Sequence, residues 1–160
     1  MKRIKLHGRG SEGLYTIVDD DDFIKLHNNR IRFSNTRSYY AIFKMGPMKN
    51  YVYLHRFILG VNDPKVTVDH VNRDRLDNRK CNLRICTKSE NLYNQPMHKN
   101  NKSGYKGVYF IKDRLKTPWR AQIVANKKRY VLGRFKTAEE ASIAYKNAVI
   151  KYHGDFAFLD

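Results

Sequence analysis

The segment from residue 66 to residue 95 limits the possible folds of this chain more than any other segment. It begins with a short β-branched run that ends in Asp69 and His70, and a loop rich in Asn, Asp and Arg follows. Thr87 and Glu90 then form a capping-box pattern, so the last eight residues of the segment are predicted to be helical. This order of elements would bring polar side chains from distant positions toward one small site.

Short runs rich in Ile, Val, Phe and Tyr predict β-strands on both sides of this segment. The runs lie at 14–18, 30–33, 39–44 and 50–53 in the first half and at 105–111, 118–125 and 128–135 in the second. Asp19 to Asp22 are predicted to open a short helix that ends near Asn28 and Asn29. Further helices are predicted from about Leu54 and from a second capping box at Thr137 and Glu140 up to Gly154.

These elements predict an α+β fold with several small modules. A chain of 160 residues has room for one ordinary domain or two small ones. We expect a small β-rich N-terminal region at 1–53, a central strand–strand–helix motif at 54–96, a basic linker at 97–103 and a C-terminal domain at 104–160. The C-terminal domain is predicted to be a three-stranded antiparallel sheet packed on one helix.

The charge of the chain favours nucleic acid as its partner. The formal net charge is +17 and the sequence pI is about 10.0, with basic residues in excess in both halves. No apolar run approaches the roughly 20 residues that cross a bilayer, so no membrane contact is expected. Two cysteines are too few for a disulfide framework, which predicts a reducing, cytoplasmic compartment.

The residues of the central motif fit phosphodiester hydrolysis. This reaction needs an activated water on one side of the phosphorus and positive charge near the leaving oxygen. Asp69 and Asn91 can give two oxygen ligands to one hard cation, while His70 acts as general base. Oxygen ligands without a thiolate favour Mg²⁺ or Mn²⁺ over Zn²⁺. Asn82 is expected to hold the loop after His70 through hydrogen bonds from its amide.

This pattern, Asp-His-Val-Asn-x-Asp followed by Asp-Asn-Arg, Asn-Leu-Arg and Ser-Glu-Asn, resembles the HNH nuclease motif of the ββα-metal fold. It is similar to the subgroup in homing endonucleases of the phage kind. The resemblance implies that His70 activates water, Asp69 and Asn91 bind one divalent metal, and Asn82 is the middle structural residue. Asn91 replaces the final His of the wider family, and the zinc-binding cysteine pairs are missing.

The basic residues of the motif are predicted to contact phosphates. Arg73, Arg75 and Arg79 are candidates for flanking phosphates, and Arg84 for charge stabilisation at the cleaved bond. The resemblance also covers Leu54-His55-Arg56. His55 is predicted to pack or hydrogen-bond structurally, with a second general base as the alternative.

Residues 104–160 resemble the plant Apetala/ethylene-response-factor DNA-binding domain. The matching pieces are Tyr105-Lys-Gly-Val108, Trp119-x-Ala-x-Ile123, Leu132-Gly133-x-Phe135 and the Thr-Ala-Glu-Glu-Ala helix. In that fold the sheet enters the major groove and the helix packs on its rear face. Tyr109 and Val131 differ from the residues common in the plant family, so its target sequence does not carry over.

Side-chain parity in the predicted sheet assigns its two faces. Val108, Ala121, Ile123, Leu132 and Phe135 are expected to face the helix. The predicted DNA-contacting residues are Lys99 and Lys102 in the linker, Lys106 at the groove edge, and Tyr109, Arg120, Gln122 and Arg129 on the sheet.

The two resemblances together predict a homing-type DNA endonuclease whose C-terminal sheet directs a metal-dependent HNH centre to double-stranded DNA. We expect a monomer on DNA, without a small-molecule cofactor beyond the metal, in the cytoplasm of a bacterial or phage-infected host cell. The alternative is a sequence-specific DNA-binding regulator in which the HNH fold is only a scaffold. An RNA-binding basic protein is a third possibility, for which exposed aromatics stacking on unpaired bases would be the signature.

Overall fold

The fold of this chain is α+β, as predicted. A computed structural model describes residues 1–35, 39–46, 50–114 and 116–157. The described strands are Lys2–Lys5 (β1), Tyr15–Val18 (β2), Arg32–Ser34 (β3), Tyr40–Lys44 (β4), Tyr51–Tyr53 (β5), Thr67–His70 (β6), Leu83–Cys86 (β7), Val108–Phe110 (β8), Trp119–Ala125 (β9) and Lys128–Phe135 (β10). The described α-helices are Asp20–Leu26 (α1), Leu54–Ile58 (α2), Lys88–Tyr93 (α3) and Ala138–His153 (α4), with short 3-10 helices at Lys80–Asn82 and Gly154–Phe156.

The chain forms two compact units, Met1–Thr87 and Lys88–Asp160. The division falls directly after β7, so α3 and the segment 97–103 belong to the second unit. The domain limits predicted from the sequence, with a linker at 97–103, stay a prediction.

The described residues of the first unit form three small antiparallel sheets, in which β2 to β6 coincide with predicted strands, whereas no strand was predicted at β1. They pair β1 with β2, β3 with β4 and β5, and β6 with β7. One core lies between the β1–β2 sheet, the β3–β4–β5 sheet, α1 and α2, and its buried members are Leu6, Val18, Leu26, Ile31, Ala41, Phe43 and Leu54. Phe57 and Ile58 of α2 pack against this core, as the sequence predicts.

The acidic run before α1 does more than complement the helix dipole. Asp19 occupies the N-cap position but makes no side-chain capping bond. Its Oδ2 instead accepts from the backbone N of Lys80 at 2.8 Å. The Lys80 ammonium pairs with Asp21 and lies 3.1 Å from Oδ2 of the buried Asp22. The acidic residues therefore fix the 3-10 helix that leads into β7.

The second unit contains a three-stranded antiparallel sheet, in the order β8-β9-β10, packed on α4. Thr137 and Glu140 form the predicted capping box at the start of α4, and Gly154 follows its last residue. Asn126 and Lys127, both with positive φ, make the turn between β9 and β10. A bulge between Val131 and Gly133 adds one residue to β10, which lets Leu132 and Phe135 both pack toward the helix.

Helix α3 ends at Tyr93, two residues earlier than predicted. The ammonium of Lys106 donates to the carbonyl oxygens of Tyr93 at 2.9 Å and Gln95 at 2.5 Å. A cation at the carbonyl end of a helix satisfies acceptors that lack a partner within the helix. Pro96 then prevents further helical turns.

No helix in the described part of the chain is long and apolar enough to span a bilayer. Cys86 in β7 is buried, whereas Cys81 in the 3-10 helix that precedes β7 is exposed.

Candidate functional site

The hairpin of β6 and β7 positions the two candidate catalytic residues of the first unit. In its register Asp69 lies opposite Arg84, and His70 lies opposite Leu83. Adjacent residues on a strand point to opposite faces, yet both side chains are enclosed, with 7% and 4% of their surface exposed. Because β6 ends at His70, the loop that follows folds over it and contributes the contacts described below.

Asp69 forms a charge-assisted pair with the arginine across the hairpin. Nη2 and Nε of Arg84 donate to the same carboxylate oxygen, Oδ2, at 2.7 and 3.0 Å. The Arg84 side chain is 18% exposed, so the pair is shielded from most solvent. Asp69, the predicted metal ligand, is thus in direct contact with Arg84, which was predicted to stabilise charge at the cleaved bond.

A chain of hydrogen bonds fixes the orientation and tautomer of His70. The hydroxyl of Thr16 donates to the carbonyl of Leu76 at 2.8 Å, so it accepts from Nδ2 of Asn78, also at 2.8 Å. Oδ1 of Asn78 then faces Nε2 of His70 at 3.2 Å. Only a protonated Nε2 can donate to that oxygen, so the lone pair of the neutral imidazole lies on Nδ1.

The ring of the buried His55 and that of the half-buried Tyr40 lie on another side of His70. The rings of His55 and His70 are 5.2 Å apart, and Tyr40 lies 5.2 Å from His55 and 6.3 Å from His70. Burial lowers the pKa of His70 below its usual value, with the bond to Asn78 opposing this shift. Burial, with the charge of His70 as a smaller cause, lowers the pKa of His55 to about 3. Both rings are therefore predominantly neutral near pH 7.

The loop between β6 and β7 is held by amides and one carboxylate. Oδ1 of Asn82 accepts from the backbone N of Asn72 at 3.0 Å, and its Nδ2 donates to the carbonyl of Asp77 at 2.7 Å. These bonds agree with the predicted structural role of Asn82. Asp77 also accepts from Asn72 and, in a two-point pair at 2.7 and 2.6 Å, from Arg79. Arg79 is the largest cause of the lowered pKa of Asp77.

Sequence reasoning gave no individual role to Asn78, Asp77 or Asn72. All three lie in the segment 72–82, where Asn and Asp recur at a density typical of loops built on side-chain-to-backbone bonds. This density indicates a loop held by side-chain hydrogen bonds, but it does not indicate which amide faces His70.

The arginines predicted to contact phosphates differ in their surroundings. Arg79 forms an ion pair with Asp77 and so helps to hold the loop. The guanidinium of Arg75 stacks over Tyr40 at 5.1 Å, and Arg73 occupies the left-handed region with φ of 65°. Their contacts with nucleic acid stay predictions.

Asn91, the second predicted metal ligand, lies in α3 and is half-buried within the second unit. Its role as a ligand stays a prediction. The described residues contain no group of three or more His, Cys, Asp or Glu side chains arranged to hold a metal.

The residues predicted to contact DNA in the second unit are mostly accessible. Arg129, Lys99 and Lys102 are exposed, and Tyr109 is exposed with the guanidinium of Arg120 5.9 Å from its ring centre. Lys106 is half-buried because it binds the end of α3.

The predicted exposure of Gln122 is wrong. Its surface is only 9% exposed, and Oε1 is buried without a hydrogen-bond partner. The side chain lines a cavity of about 820 Å³ within the second unit, together with Tyr93, Met97, Lys106 and Tyr145. Residues 93–101 enclose this part of β9, a contact that strand parity does not reveal.

Comparison with known proteins gives an independent assignment for the first site. Residues 52–93 match the family model described as HNH endonuclease, a range that contains Asp69, His70, Asn82, Arg84 and Asn91. No solved structure matches the chain significantly.

Two viral proteins are similar to larger parts of the chain. An uncharacterized HNH endonuclease, L560, of Acanthamoeba polyphaga mimivirus is 27% identical over 154 residues, which is 95% of this chain and 77% of the relative. Protein 3.8 of Escherichia phage T7 is 30% identical over 90 residues, which is 56% of this chain and 72% of the relative. The chain therefore contains an HNH endonuclease domain and belongs to the same family as Protein 3.8 of phage T7.

Proposed function

We propose that the chain is a divalent-metal-dependent DNA endonuclease of the homing type, with His70 as its general base. The observation that carries this proposal is the Thr16–Asn78–His70 chain of hydrogen bonds inside the HNH match. An imidazole that is buried, neutral and held in one tautomer is prepared to take a proton from water at Nδ1.

The remaining residues of the motif support this role by their chemistry. Arg84 brings a guanidinium, which stays charged at every pH relevant to proteins, next to Asp69. We propose that it stabilises charge on the phosphate during cleavage. Asn82 and Asp77 keep the loop after His70 in a single conformation, so that the base is positioned before substrate arrives.

The residues fit a hard divalent ion. The proposed ligands are a carboxylate oxygen of Asp69 and the amide oxygen of Asn91, which suit Mg²⁺ or Mn²⁺ and not Zn²⁺. Arg84 contacts one oxygen of Asp69, and a carboxylate has enough lone pairs to accept a guanidinium and a cation together. When bound, the ion would stabilise negative charge on the phosphate and the leaving oxygen.

We propose double-stranded DNA as the substrate and the sheet of β8, β9 and β10 as the element that directs the nuclease to its site. The resemblance of residues 104–160 to the Apetala/ethylene-response-factor domain supports this, as do the exposed Tyr109 and Arg129. We further propose that the protein acts as a monomer in the cytoplasm of a bacterial or phage-infected cell.

A cleavage assay tests the nuclease proposal directly. The full chain is incubated with a duplex DNA library in Mg²⁺, in Mn²⁺ and with a chelator, and cleaved ends are sequenced to identify the site and the strand. We expect cutting only with the ion. His70→Ala and Asp69→Ala should each lower the rate by at least about a hundredfold, whereas His98→Ala, at an exposed histidine, should not. Unchanged cutting in both site variants would refute the mechanism.

The pairing of Asp69 with Arg84 favours a second candidate function. An arginine that neutralises the proposed ligand is also what a non-catalytic scaffold would retain. In that case the chain is a sequence-specific DNA-binding regulator. Specific duplex binding without a single nick in either ion would establish it.

A further inference from the structure

The outer face of the β3–β4–β5 sheet carries basic and tyrosine side chains that have no role in the proposed mechanism. The register places Arg32 and Tyr53 on either side of Ile42, and Lys44 opposite Tyr51, so these side chains share one face. Phe33, Ala41, Phe43 and Val52 point the other way into the core. We call the outward set Arg32, Tyr40, Ile42, Lys44, Tyr51 and Tyr53 the tyrosine face.

The tyrosine face is basic as well as aromatic. Tyr51 and Tyr53 are 47% and 43% exposed, which is unusual for two aromatic residues on one short strand. The guanidinium of Arg32 lies 5.7 Å from the Tyr51 ring centre and donates to its hydroxyl at 3.2 Å. The sequence from residue 23 to residue 62 contains seven Lys and Arg residues and no Asp or Glu. The strands of the tyrosine face therefore add positive charge and no carboxylate to it.

A series of ring contacts links the tyrosine face to the proposed catalytic base. Tyr53 contacts Tyr40 at 5.3 Å between ring centres and His55 at 5.5 Å. Tyr40 in turn contacts His55 and lies 6.3 Å from His70. Arg75, which follows the HNH residues in the loop, stacks on the same Tyr40 ring. These contacts place the tyrosine face next to His70.

We infer that the tyrosine face binds the duplex DNA that flanks the cleaved phosphate, as a contact surface separate from the C-terminal sheet. Arg32 and Lys44 would neutralise phosphates, and the tyrosine hydroxyls would donate hydrogen bonds to phosphate and sugar oxygens of the duplex. The charge of the face and its continuity with His70 favour the nucleic acid over a protein partner. This inference rests on the proposed function and gives the N-terminal region its role.

The chain offers a closely matched control for this face. Lys44 lies opposite Tyr51, and on the β1–β2 sheet Lys5 lies opposite Tyr15 in the same antiparallel geometry. Tyr15 is 45% exposed, close to the value for Tyr51, and both lysines are exposed. The variants Lys44→Ala/Tyr51→Ala and Lys5→Ala/Tyr15→Ala therefore remove the same charge and the same ring area from two different surfaces.

Binding of both double variants to a labelled mixed-sequence duplex is measured by fluorescence anisotropy, with a chelator present so that no cleavage occurs. We expect the Lys44/Tyr51 variant to lose about tenfold in affinity and its slope of log K against log salt to become shallower by about 0.9. The Lys5/Tyr15 variant should lose less than about threefold. Equal losses in the two variants, or none in the first, would overturn the inference. If the first variant fails to unfold cooperatively on heating, Lys44→Ala alone replaces it under the same criterion for the slope.

A second measurement reads the contact directly. Duplex DNA that carries 5-iodouracil is cross-linked to the wild-type chain with light, and the modified peptides are identified by mass spectrometry. Adducts at Tyr51 or Tyr53 support the inference, and adducts at Tyr15 with none at these two residues refute it. A chain that binds and cuts duplex DNA while the Lys44/Tyr51 variant stays unaffected would refute this inference alone. A chain that neither binds nor cuts it would refute the proposed function as well.

Discussion

At the scale of single residues, Asn78 holds the ring of His70, the proposed general base, in one orientation. Its amide donates to Thr16 and accepts from His70, and it is itself almost completely buried. A buried neutral amide fixes the imidazole tautomer without adding charge. Asn78 is therefore proposed as a positioning residue, and its effect should appear in the pH dependence of cleavage.

Replacing Asn78 by Asp should move this pH dependence. In the wild type the pKa of His70 is lowered from its usual value of 6.5, so the acid limb of the cleavage rate is expected to lie below that pH. A carboxylate next to Nε2 favours the protonated ring, and the acid limb of the pH–rate profile should rise by on the order of one pH unit. An unchanged acid limb in a folded Asn78→Asp variant would contradict the positioning role.

His55 should make the folded chain sensitive to acid. Its pKa is about 3 in the folded state, against 6.5 for an exposed histidine. Because the unfolded chain binds the proton more readily, stability is lost as the pH falls from about 6.5 toward 3. At pH 5 this loss amounts to about 2 kcal/mol.

The variant His55→Phe should lose less free energy of unfolding between pH 7 and pH 5 than the wild type. His98→Phe, at an exposed position, should behave as the wild type. Urea unfolding at the two pH values gives the comparison. Equal pH dependence in His55→Phe and wild type would mean that His55 does not cause the loss of stability at pH 5.

At the scale of secondary-structure elements, close packing between the start of β8 and α4 depends on a glycine. Gly107 has φ of 71°, and an added Cβ would lie 2.1 Å from ring carbons of Tyr145 and 2.8 Å from the carbonyl oxygen of Gln122. Gly104, three residues earlier, has φ of 75° and no atom within 4 Å of an added Cβ. The two glycines have the same backbone strain and differ in the space around them.

Gly107→Ala should destabilise the second unit far more than Gly104→Ala. The backbone penalty common to both is about 1 kcal/mol, and the clash at Gly107 should raise its total above about 3 kcal/mol. Thermal unfolding followed by circular dichroism measures both variants. Similar melting temperatures would show that Tyr145 moves aside at little cost, contrary to this expectation.

At the scale of the whole molecule, the dominant property is a positive charge of +17 shared by both halves of the sequence. Such a charge raises the encounter rate with any polyanion and supplies affinity without sequence specificity. Specificity then has to come from particular surfaces, here proposed to be the C-terminal sheet and the tyrosine face.

Binding of the full chain to duplex DNA should depend steeply on salt. Six of the predicted phosphate-contacting residues would give a slope of log K against log salt of about −5. Anisotropy titrations over a range of NaCl concentrations measure it, and a neutral osmolyte at matched osmolality serves as the control. A flat response would argue against an extended backbone-contacting surface.

Local patterns in the sequence were enough to predict several strands, the start of α4 and the HNH motif. Hydrophobic alternation predicted β9 and β10, the Thr137–Glu140 capping box marked the start of α4, and the Asp69-His70 pair with its polar loop identified the HNH motif. These features depend on neighbours within a few residues, whose preferences are visible in the chain itself.

Only the tertiary structure decided which side chains meet. Asn78 reaches Thr16 across 62 positions, Arg84 faces Asp69 through the hairpin register, and residues 93–101 enclose Gln122. Such contacts depend on strand register and on the packing of distant segments, because a hydrogen bond or a buried surface forms only where the folded backbone brings its partners together. The sequence therefore indicated which residues could carry the chemistry, and only the tertiary structure showed which neighbours orient them.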